Sequence, residues 1–135
     1  MLRSLAAADA VRRLSTRQHE AFARGDLADW VGTFVVEGVL ELPGIGPLEG
    51  HAALGRFFGE AGAGAGSPEV LSTDSVVEVD GVHGTQTSRL LVLDAAASPP
   101  ALRGLFETRD DVIYERGRWY FARRRVDRRL PPPGS

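Results

Sequence analysis

The alternation of apolar and polar residues from Leu102 to Asp127 predicts two long antiparallel strands joined by a tight turn. The first strand covers Leu105 to Tyr114. The second covers Trp119 to Val126, where aromatic and β-branched residues are frequent. The segment Glu115 to Arg118 supplies the turn between them. This hairpin is the longest regular feature that the pattern predicts.

One face of the first hairpin strand combines apolar side chains with a single carboxylate. Side chains alternate between the two faces of a strand, so one face carries Phe106, Thr108, Asp110 and Val112. Burying a charged and unpaired carboxylate is costly, because the charge loses its hydration. Asp110 is therefore predicted either to lean out into water or to be buried for a purpose.

The spacing of apolar residues in the first half of the chain predicts three helices, over Ala6 to Arg24, Leu27 to Phe34 and Gly50 to Glu60. In the first helix, Gln18 falls at the centre of the apolar stripe and His19 falls near its edge. Gln18 is therefore either a hydrogen-bonded core amide or a group that faces a ligand.

Shorter segments of strand pattern and of turn residues complete the chain. Gly38 to Leu42, Glu69 to Val79 and Gly84 to Leu93 are predicted strands, and Asp80-Gly81 is a hairpin turn signal. Three segments rich in Gly, Pro or Ala are predicted to lack regular structure: Pro43 to Pro47, Ala61 to Pro68 and Ala95 to Pro100. The final residues 130–135 form a Pro-rich tail that is predicted to be disordered.

Helices that come first and antiparallel strands that follow predict an α+β fold, with the helices gathered on one face of a curved sheet. The chain has 135 residues, of which 43% are hydrophobic, and this fits one domain over residues 1–129. A bent sheet closed by helices forms a cup. Pockets in such cups are mostly apolar and contain a few convergent polar groups.

Composition and charge exclude several classes of protein. The net charge of −2 provides no basic field of the kind that a nucleic-acid binder uses. The chain has no Cys, which excludes disulfides, thiolate metal sites and a Cys nucleophile. No apolar run approaches the roughly 20 residues that span a bilayer, so we expect a cytoplasmic protein without membrane or nucleic-acid partners.

The order of elements resembles the cone-shaped nuclear transport factor 2-like (NTF2-like) superfamily, and most closely its SnoaL-like branch. The resemblance is carried by four segments that span most of the chain: Gly25 to Phe34, Leu40 to Phe58, Val76 to Gly81 and Gly117 to Val126. It implies three N-terminal helices packed on a strongly curved, mostly antiparallel sheet that encloses a pocket. It is much less specific for activity, because this superfamily hosts enzymes of several classes and also non-catalytic binders.

Only some catalytic residues of the resembled enzymes carry over. In relatives like scytalone dehydratase, an acidic residue and a His form an acid/base pair, and Ala23 and Val70 stand at those positions. In relatives like ketosteroid isomerase, a helical Tyr and a base Asp are replaced by Gln18 and Leu42. The oxyanion-hole Asp of that isomerase falls at or within one residue of Asp110. Asp110 is therefore singled out by both the strand pattern and the resemblance.

These arguments define a candidate site. Two further pocket positions of scytalone dehydratase, a His and an Asn, correspond to Ser88 and Thr108. The catalytic candidates are Asp110 as an acid or hydrogen-bond donor, Gln18 as an orienting group and His19 as a base near the mouth of the cup. The predicted substrate-binding residues are Trp30, Phe34, Leu42, Phe58, Val70, Gln86, Ser88, Phe106 and Thr108.

The main candidates also have purely structural interpretations. Asp110 could form a salt bridge with Arg123 or Arg125 on the neighbouring strand, since structural ion pairs also perturb acids. His51 is expected to be a surface or capping residue, and His83 is expected to be solvated beside a hairpin turn. The three His residues lack metal-ligand spacing, so we expect no metal site. The leading hypothesis below also expects no other cofactor.

The leading functional hypothesis is a small enzyme that performs cofactor-free acid/base chemistry, as a cyclase, isomerase or dehydratase. Its substrate would be cyclic and polyketide-, aromatic- or steroid-like. One alternative is a non-catalytic binder of a hydrophobic small molecule, because both catalytic pairs of the resembled enzymes are missing. Another alternative is an assembly subunit. The outward-facing Leu91 and Leu93 predict a homodimer through the outer face of the sheet, which is common in the resembled family.

Overall fold

The computed structural model describes residues 2–64, 68–94 and 96–132. It contains three helices: α1 (Leu2–Arg24), α2 (Leu27–Val31) and α3 (Gly50–Gly64). The side chain of Asp26 accepts a hydrogen bond from the backbone N–H of Asp29 and so caps the start of α2. All three helices therefore lie in the first half of the chain, as the apolar spacing predicts.

Six strands accompany these helices: β1 (Phe34–Leu42), β2 (Ile45–Glu49), β3 (Pro68–Asp80), β4 (His83–Asp94), β5 (Ala101–Glu115) and β6 (Arg118–Leu130). They form one sheet in the order β2-β1-β6-β5-β4-β3. The pair of β1 and β6 is parallel, and the other neighbouring pairs are antiparallel. The predicted α+β fold with a mostly antiparallel sheet is confirmed. The sheet is mixed and open, with β2 and β3 at its edges.

The helices cover one face of the sheet, called here the inner face. α1 packs against β3 and β6, and α3 packs against β1 and β2. Aromatic rings join these layers in a single core. The ring centre of Trp30 lies 5.2 Å from that of Phe58 and 5.6 Å from that of Phe34. Phe34 in turn lies 5.7 Å from Phe121 of β6, so the core ties the helices to the parallel strand pair.

The two long hairpins follow the predicted turns. β3 and β4 are joined after Asp80 by Gly81, which has a φ of 64°. β5 and β6 are joined by Arg116 and Gly117, with φ values of 50° and 83°. Positive φ at both central residues is what a two-residue type I′ turn requires, and this turn matches the twist of the flanking strands.

Two local predictions are wrong. The second predicted helix reaches Phe34, but this residue begins β1, because Gly32 caps α2 and a run rich in β-branched residues follows. The segment Pro43 to Pro47 is predicted to be irregular, but β2 begins inside it at Ile45. Its second Pro lies where the register of β1 and β2 shifts, and β2 is an edge strand, the part of a sheet in which Pro is tolerated.

The ends of the predicted loops and tail also differ. Leu130, predicted to open the disordered tail, is the last residue of β6 and pairs with Leu105. α3 runs through Gly64, and β3 begins at Pro68, so both ends of the predicted loop 61–68 are regular. Residues 65–67, 95 and 133–135 lie outside the described residues, and predictions about those positions stay predictions.

Candidate active site

A β-bulge in β6 decides which arginine faces the interior. Between Phe121 and Arg123 the strand contains one extra residue, Ala122, relative to β5. In an unbroken strand, Arg123 would share a face with Phe121. With the bulge, Arg124 takes that face and stands opposite Asp110.

Arg124 and Asp110 form a buried ion pair. Arg124 Nε donates to Asp110 Oδ1 at 3.1 Å, and the two side chains are 2% and 0% exposed. Nη1 of Arg124 donates to Oε1 of Gln18. The guanidinium carbon also lies 4.5 Å from the centre of the Phe121 ring, a cation–π contact. Three neighbouring groups therefore hold the guanidinium in one orientation.

Two glutamine side chains extend the network on either side of this ion pair. Gln86 Nε2 donates to Asp110 Oδ2 at 3.2 Å and to Ser15 Oγ of α1 at 2.7 Å. Gln18 Nε2 donates to Thr33 Oγ1 at 2.7 Å. The network thus connects α1 to β4, β5 and β6. Gln18 and Gln86 are both hydrogen-bonded amides of the interior, as buried polar groups usually are.

Ser88 and Thr108 form a hydroxyl pair beside the network, with their oxygens 2.6 Å apart. Both side chains are buried. Ser88 and Thr108 stand opposite each other, two residues along β4 and β5 from the opposed pair Gln86 and Asp110 and on the same face. The polar residues that the strand pattern predicts to share the inner face are therefore adjacent in the fold.

Burial raises the pKa of Asp110 above its ordinary value. The charge of Arg124 and the hydrogen bonds from Gln86 and Arg124 oppose that rise, because they stabilise the carboxylate. Both carboxyl oxygens already have protein partners, one in Arg124 and the other in Gln86. In this arrangement Asp110 orients Arg124, and it has no oxygen free of protein contacts.

His19 lies on α1 close to this network. Burial, followed by the charge of Arg124, lowers the pKa of His19 from 6.5 to about 3. The imidazole is therefore neutral at physiological pH. Its Nε2 atom is buried and has no hydrogen-bond partner among the described residues. A neutral ring can still donate or accept a hydrogen bond at Nε2, depending on its tautomer.

Arg124 Nη2, like His19 Nε2, is buried and has no hydrogen-bond partner in the described part of the chain. Leaving a buried polar group unpaired costs about 1–3 kcal/mol. Two such atoms therefore stand out in a network whose other members are hydrogen-bonded. A ligand oxygen that accepts from Arg124 would remove that cost.

Partly exposed inner-face residues lie toward one end of the sheet, beyond the polar network. Together they are called the rim, and they are Leu42, Val70, Phe106, Val126 and Arg128. The strand directions bring them to this end, because β1 and β6 finish there while β3 and β5 begin there. A mostly apolar rim above a buried polar cluster is the usual composition of a small-molecule pocket.

Other predicted substrate-binding residues lie in the packed core. Trp30, Phe34 and Phe58 are 5%, 1% and 5% exposed, and each contacts another aromatic ring. Their predicted contact with a substrate stays a prediction. In this structure they form part of the core that holds the site, because Phe34 packs on Phe121, whose ring contacts the Arg124 guanidinium.

The remaining histidines have different surroundings. His51 Nε2 is 2.9 Å from the backbone oxygen of Phe34, and His83 is exposed. Within the described ranges, no three His, Asp or Glu side chains lie together as a metal site requires.

A separate groove of about 1140 Å³ between α1 and the hairpin turns is lined by Arg13, Tyr114, Trp119 and other residues outside the predicted site.

Arg124 is the functional candidate that sequence reasoning missed. An ion pair for Asp110 is confirmed, but the proposed partners Arg123 and Arg125 are wrong. Those two residues lie on the outer face, where they pair with Glu41 at 3.1 Å and with Asp111 at 3.4 Å. Because of the bulge, Arg124 faces inward and Arg123 and Arg125 face outward. Three consecutive arginines give no sequence signal that shows where the bulge lies.

The helices of the described residues are too short or too polar to cross a membrane.

No curated protein matches this sequence. A protein of unknown function from Mycobacterium tuberculosis is similar in structure, with a TM-score of 0.83 and 28% identity over 93% of this chain and 79% of that chain. An NTF2-like protein with a cystatin-like fold from Novosphingobium aromaticivorans has a TM-score of 0.85 and 19% identity, over 99% of this chain and 87% of its own.

A third similar structure, from the same Novosphingobium species, is named as a candidate scytalone dehydratase. It has a TM-score of 0.82 and 14% identity, over 93% of this chain and 86% of its own. At such identities these likenesses establish the NTF2-like fold and carry no activity with them. The family model described as a SnoaL-like domain matches residues 3–125, which is nearly the whole chain. The protein therefore belongs to the family of SnoaL-like domains.

Proposed function

We propose that this protein is a cofactor-independent enzyme that stabilises the enolate of a hydrophobic cyclic ketone, as an isomerase, dehydratase or cyclase. Isomerisation beside a carbonyl, loss of water from a β-hydroxyketone and aldol-type ring closure all pass through an enolate. The observation that carries the proposal is the pair of unpartnered buried nitrogens, Arg124 Nη2 and His19 Nε2, in an otherwise hydrogen-bonded network.

Arg124 is suited to bind the substrate oxygen. Its Nε and Nη1 are occupied by Asp110 and Gln18, so the guanidinium is held while Nη2 points to no protein acceptor in the described chain. A donor that is fixed in advance stabilises the negative charge that develops on the carbonyl oxygen without having to reorganise. Removing one such donor typically lowers turnover about 100-fold or more.

His19 is suited to move the proton in the same step. In the free protein its pKa is about 3, because it is buried beside the Arg124 cation. A substrate oxygen that becomes negative next to both groups would stabilise the imidazolium, since an opposite charge favours the protonated ring. Nε2 would then take the proton from the carbon next to the carbonyl as the enolate forms.

A non-catalytic binder of a hydrophobic small molecule is the second candidate. It is favoured by the state of the two acid/base groups in the free protein, since both oxygens of Asp110 have partners and the neutral His19 is a weak base. In that case the same Arg124 donor would fix the ligand's orientation without turnover.

Exchange of hydrogen for deuterium next to a ketone separates these two functions. 2-Tetralone, a cyclic aromatic ketone, is incubated with the protein in deuterated buffer, and loss of its α-proton signal is followed by proton NMR. We expect the wild-type protein to accelerate exchange above buffer. His19→Leu, which removes a buried unpartnered nitrogen and keeps an apolar shape, should lower the enzymatic rate at least about tenfold.

The exposed His83 provides the matched control, because His83→Gln leaves the inner face unchanged. Its exchange rate should equal that of the wild type. Broadened tetralone signals without accelerated exchange would favour the binder. Equal rates for the wild type and the His19 variant would remove His19 from the mechanism.

A further inference from the structure

Arg128 is the second arginine on the inner face, and unlike Arg124 it has no carboxylate partner among the described residues. The register of β5 and β6 places it opposite Phe106, at the rim. Its Nε is buried and has no hydrogen-bond partner in the described part of the chain, although the side chain is partly exposed. Five arginines on the outer faces of β4, β5 and β6 are different, because each of them pairs with a carboxylate. These are Arg89, Arg109, Arg123, Arg125 and Arg129.

The charges of β5 and β6 do not balance on the inner face. Between Phe106 and Val112, and between Phe121 and Arg128, the inward-facing charged residues are two arginines and one aspartate. Asp110 is bound to Arg124. Arg128 at the rim is therefore the cation that a ligand would pair with, since burying part of a guanidinium without a partner is costly.

The two arginines are separated along the strand. They are four residues apart on β6, so their Cα atoms are about 13 Å apart at roughly 3.3 Å per residue. Val126 lies between them, and Phe106 stands beside Arg128. The path from one guanidinium to the other therefore passes along apolar side chains.

We propose that the substrate of this site is a hydrophobic anion, whose carboxylate or comparable acidic group binds Arg128 while an oxygen at the other end of the molecule binds Arg124. The apolar body between these groups contacts Phe106 and Val126. This inference rests on the proposed function, because it names the class of molecule that would place its carbonyl at Arg124. Arg128 is a specificity residue in this arrangement and takes no part in proton transfer.

A matched pair of fluorescent probes tests the anion site. 8-Anilinonaphthalene-1-sulfonate and N-phenyl-1-naphthylamine share an aromatic body, and only the first carries an acidic group. Titration of each probe into wild-type protein and into Arg128→Met measures two dissociation constants per protein. We expect the variant to bind the sulfonate at least about tenfold more weakly and the neutral amine with unchanged affinity. Arg128→Lys, which keeps the charge, should restore most of the sulfonate affinity.

Arg129 supplies the control, because it follows Arg128 directly but is exposed and paired with Glu107 at 2.8 Å. Arg129→Met should leave both probes unaffected. Equal weakening of both probes by Arg128→Met, an equal effect of Arg129→Met, or no sulfonate binding by the wild type would each overturn the inference. 2-Tetralone has no acidic group, so its exchange does not require Arg128, and failure of the proposed reaction remains distinguishable from failure of the anion site.

Discussion

At the scale of single residues, the candidate site is governed by desolvation. The same buried surroundings raise the pKa of Asp110 and lower that of His19, because burial penalises the charged form of each group. Arg124 acts on both residues, lowering the pKa of His19 and partly offsetting the rise for Asp110. A buried ion pair is weak support for stability, so the value of this one lies in orienting Arg124.

The neutral state of His19 predicts a pH-dependent stability. Its pKa is about 3 in the folded protein and 6.5 as a model group, so unfolding takes up a proton below about pH 6.5. The free energy of unfolding is therefore unaffected by protonation of His19 above that pH, and it decreases as the pH falls from 6.5 toward 3. Urea unfolding of wild type and His19→Leu should show a stability difference that changes by up to about 2 kcal/mol between pH 7 and pH 5.

Asp110 contributes in the opposite sense, since a raised pKa in the folded state favours folding at low pH. The comparison with His19→Leu isolates the histidine, because both proteins retain Asp110. Parallel loss of stability in the two proteins on acidification would mean that His19 is solvated in the folded state.

At the scale of elements, irregularities in β1 and β6 position the site. The bulge at Ala122 brings Arg124 onto the same face as Phe121. β1 departs from regular pairing with β6 between Phe34 and Val39, a stretch that includes the buried Gly38. Both irregularities meet at the contact of Phe34 with Phe121, the ring beneath the Arg124 guanidinium.

Gly38→Ala should disturb this contact. A Cβ at residue 38 would lie 2.8 Å from Phe34 Cβ and 3.0 Å from the Val35 backbone oxygen, so the buried Phe34 must shift. We expect a loss of about 1–3 kcal/mol in the free energy of unfolding, the usual cost of overpacking a core. Gly46→Ala is the control, since a Cβ there meets nothing within 4 Å, and it should stay within about 0.5 kcal/mol of wild type. Similar unfolding midpoints for both variants would contradict the role given to Gly38.

At the scale of the whole molecule, the outer face of the sheet combines ion pairs with a row of leucines. Leu71, Leu91 and Leu105 are consecutive cross-strand partners on β3, β4 and β5, and Leu105 also pairs with Leu130 of β6. Leu71 and Leu130 are 49% and 45% exposed. An exposed apolar row of this kind is typical of an interaction surface. We propose that a second copy of the chain covers it, as the outward-facing leucines predict.

Leu71→Glu tests this homodimer. A charge in the row would be buried without a partner on association, and a two-fold interface would contain that defect twice. Sedimentation velocity should therefore show a dimer for wild type and mainly monomer for Leu71→Glu. Leu27→Glu, an exposed leucine at the start of α2, should remain dimeric. A monomeric wild-type protein, or equal behaviour of the two variants, would contradict the proposal.

The sequence by itself determined the α+β class, the two long hairpins and the inward face of β5, because apolar periodicity and turn residues are local properties. It also singled out Gln86, Ser88, Thr108 and Asp110, since strand alternation places them on one face wherever the strand is regular, and Gln18, since helical spacing places it at the centre of the apolar stripe of α1. The tertiary structure decided that Arg124 is the buried cation, because one extra residue in β6 depends on pairing with a strand elsewhere. It also decided the states of His19 and Asp110, since burial is produced by packing between distant segments and no local pattern contains it.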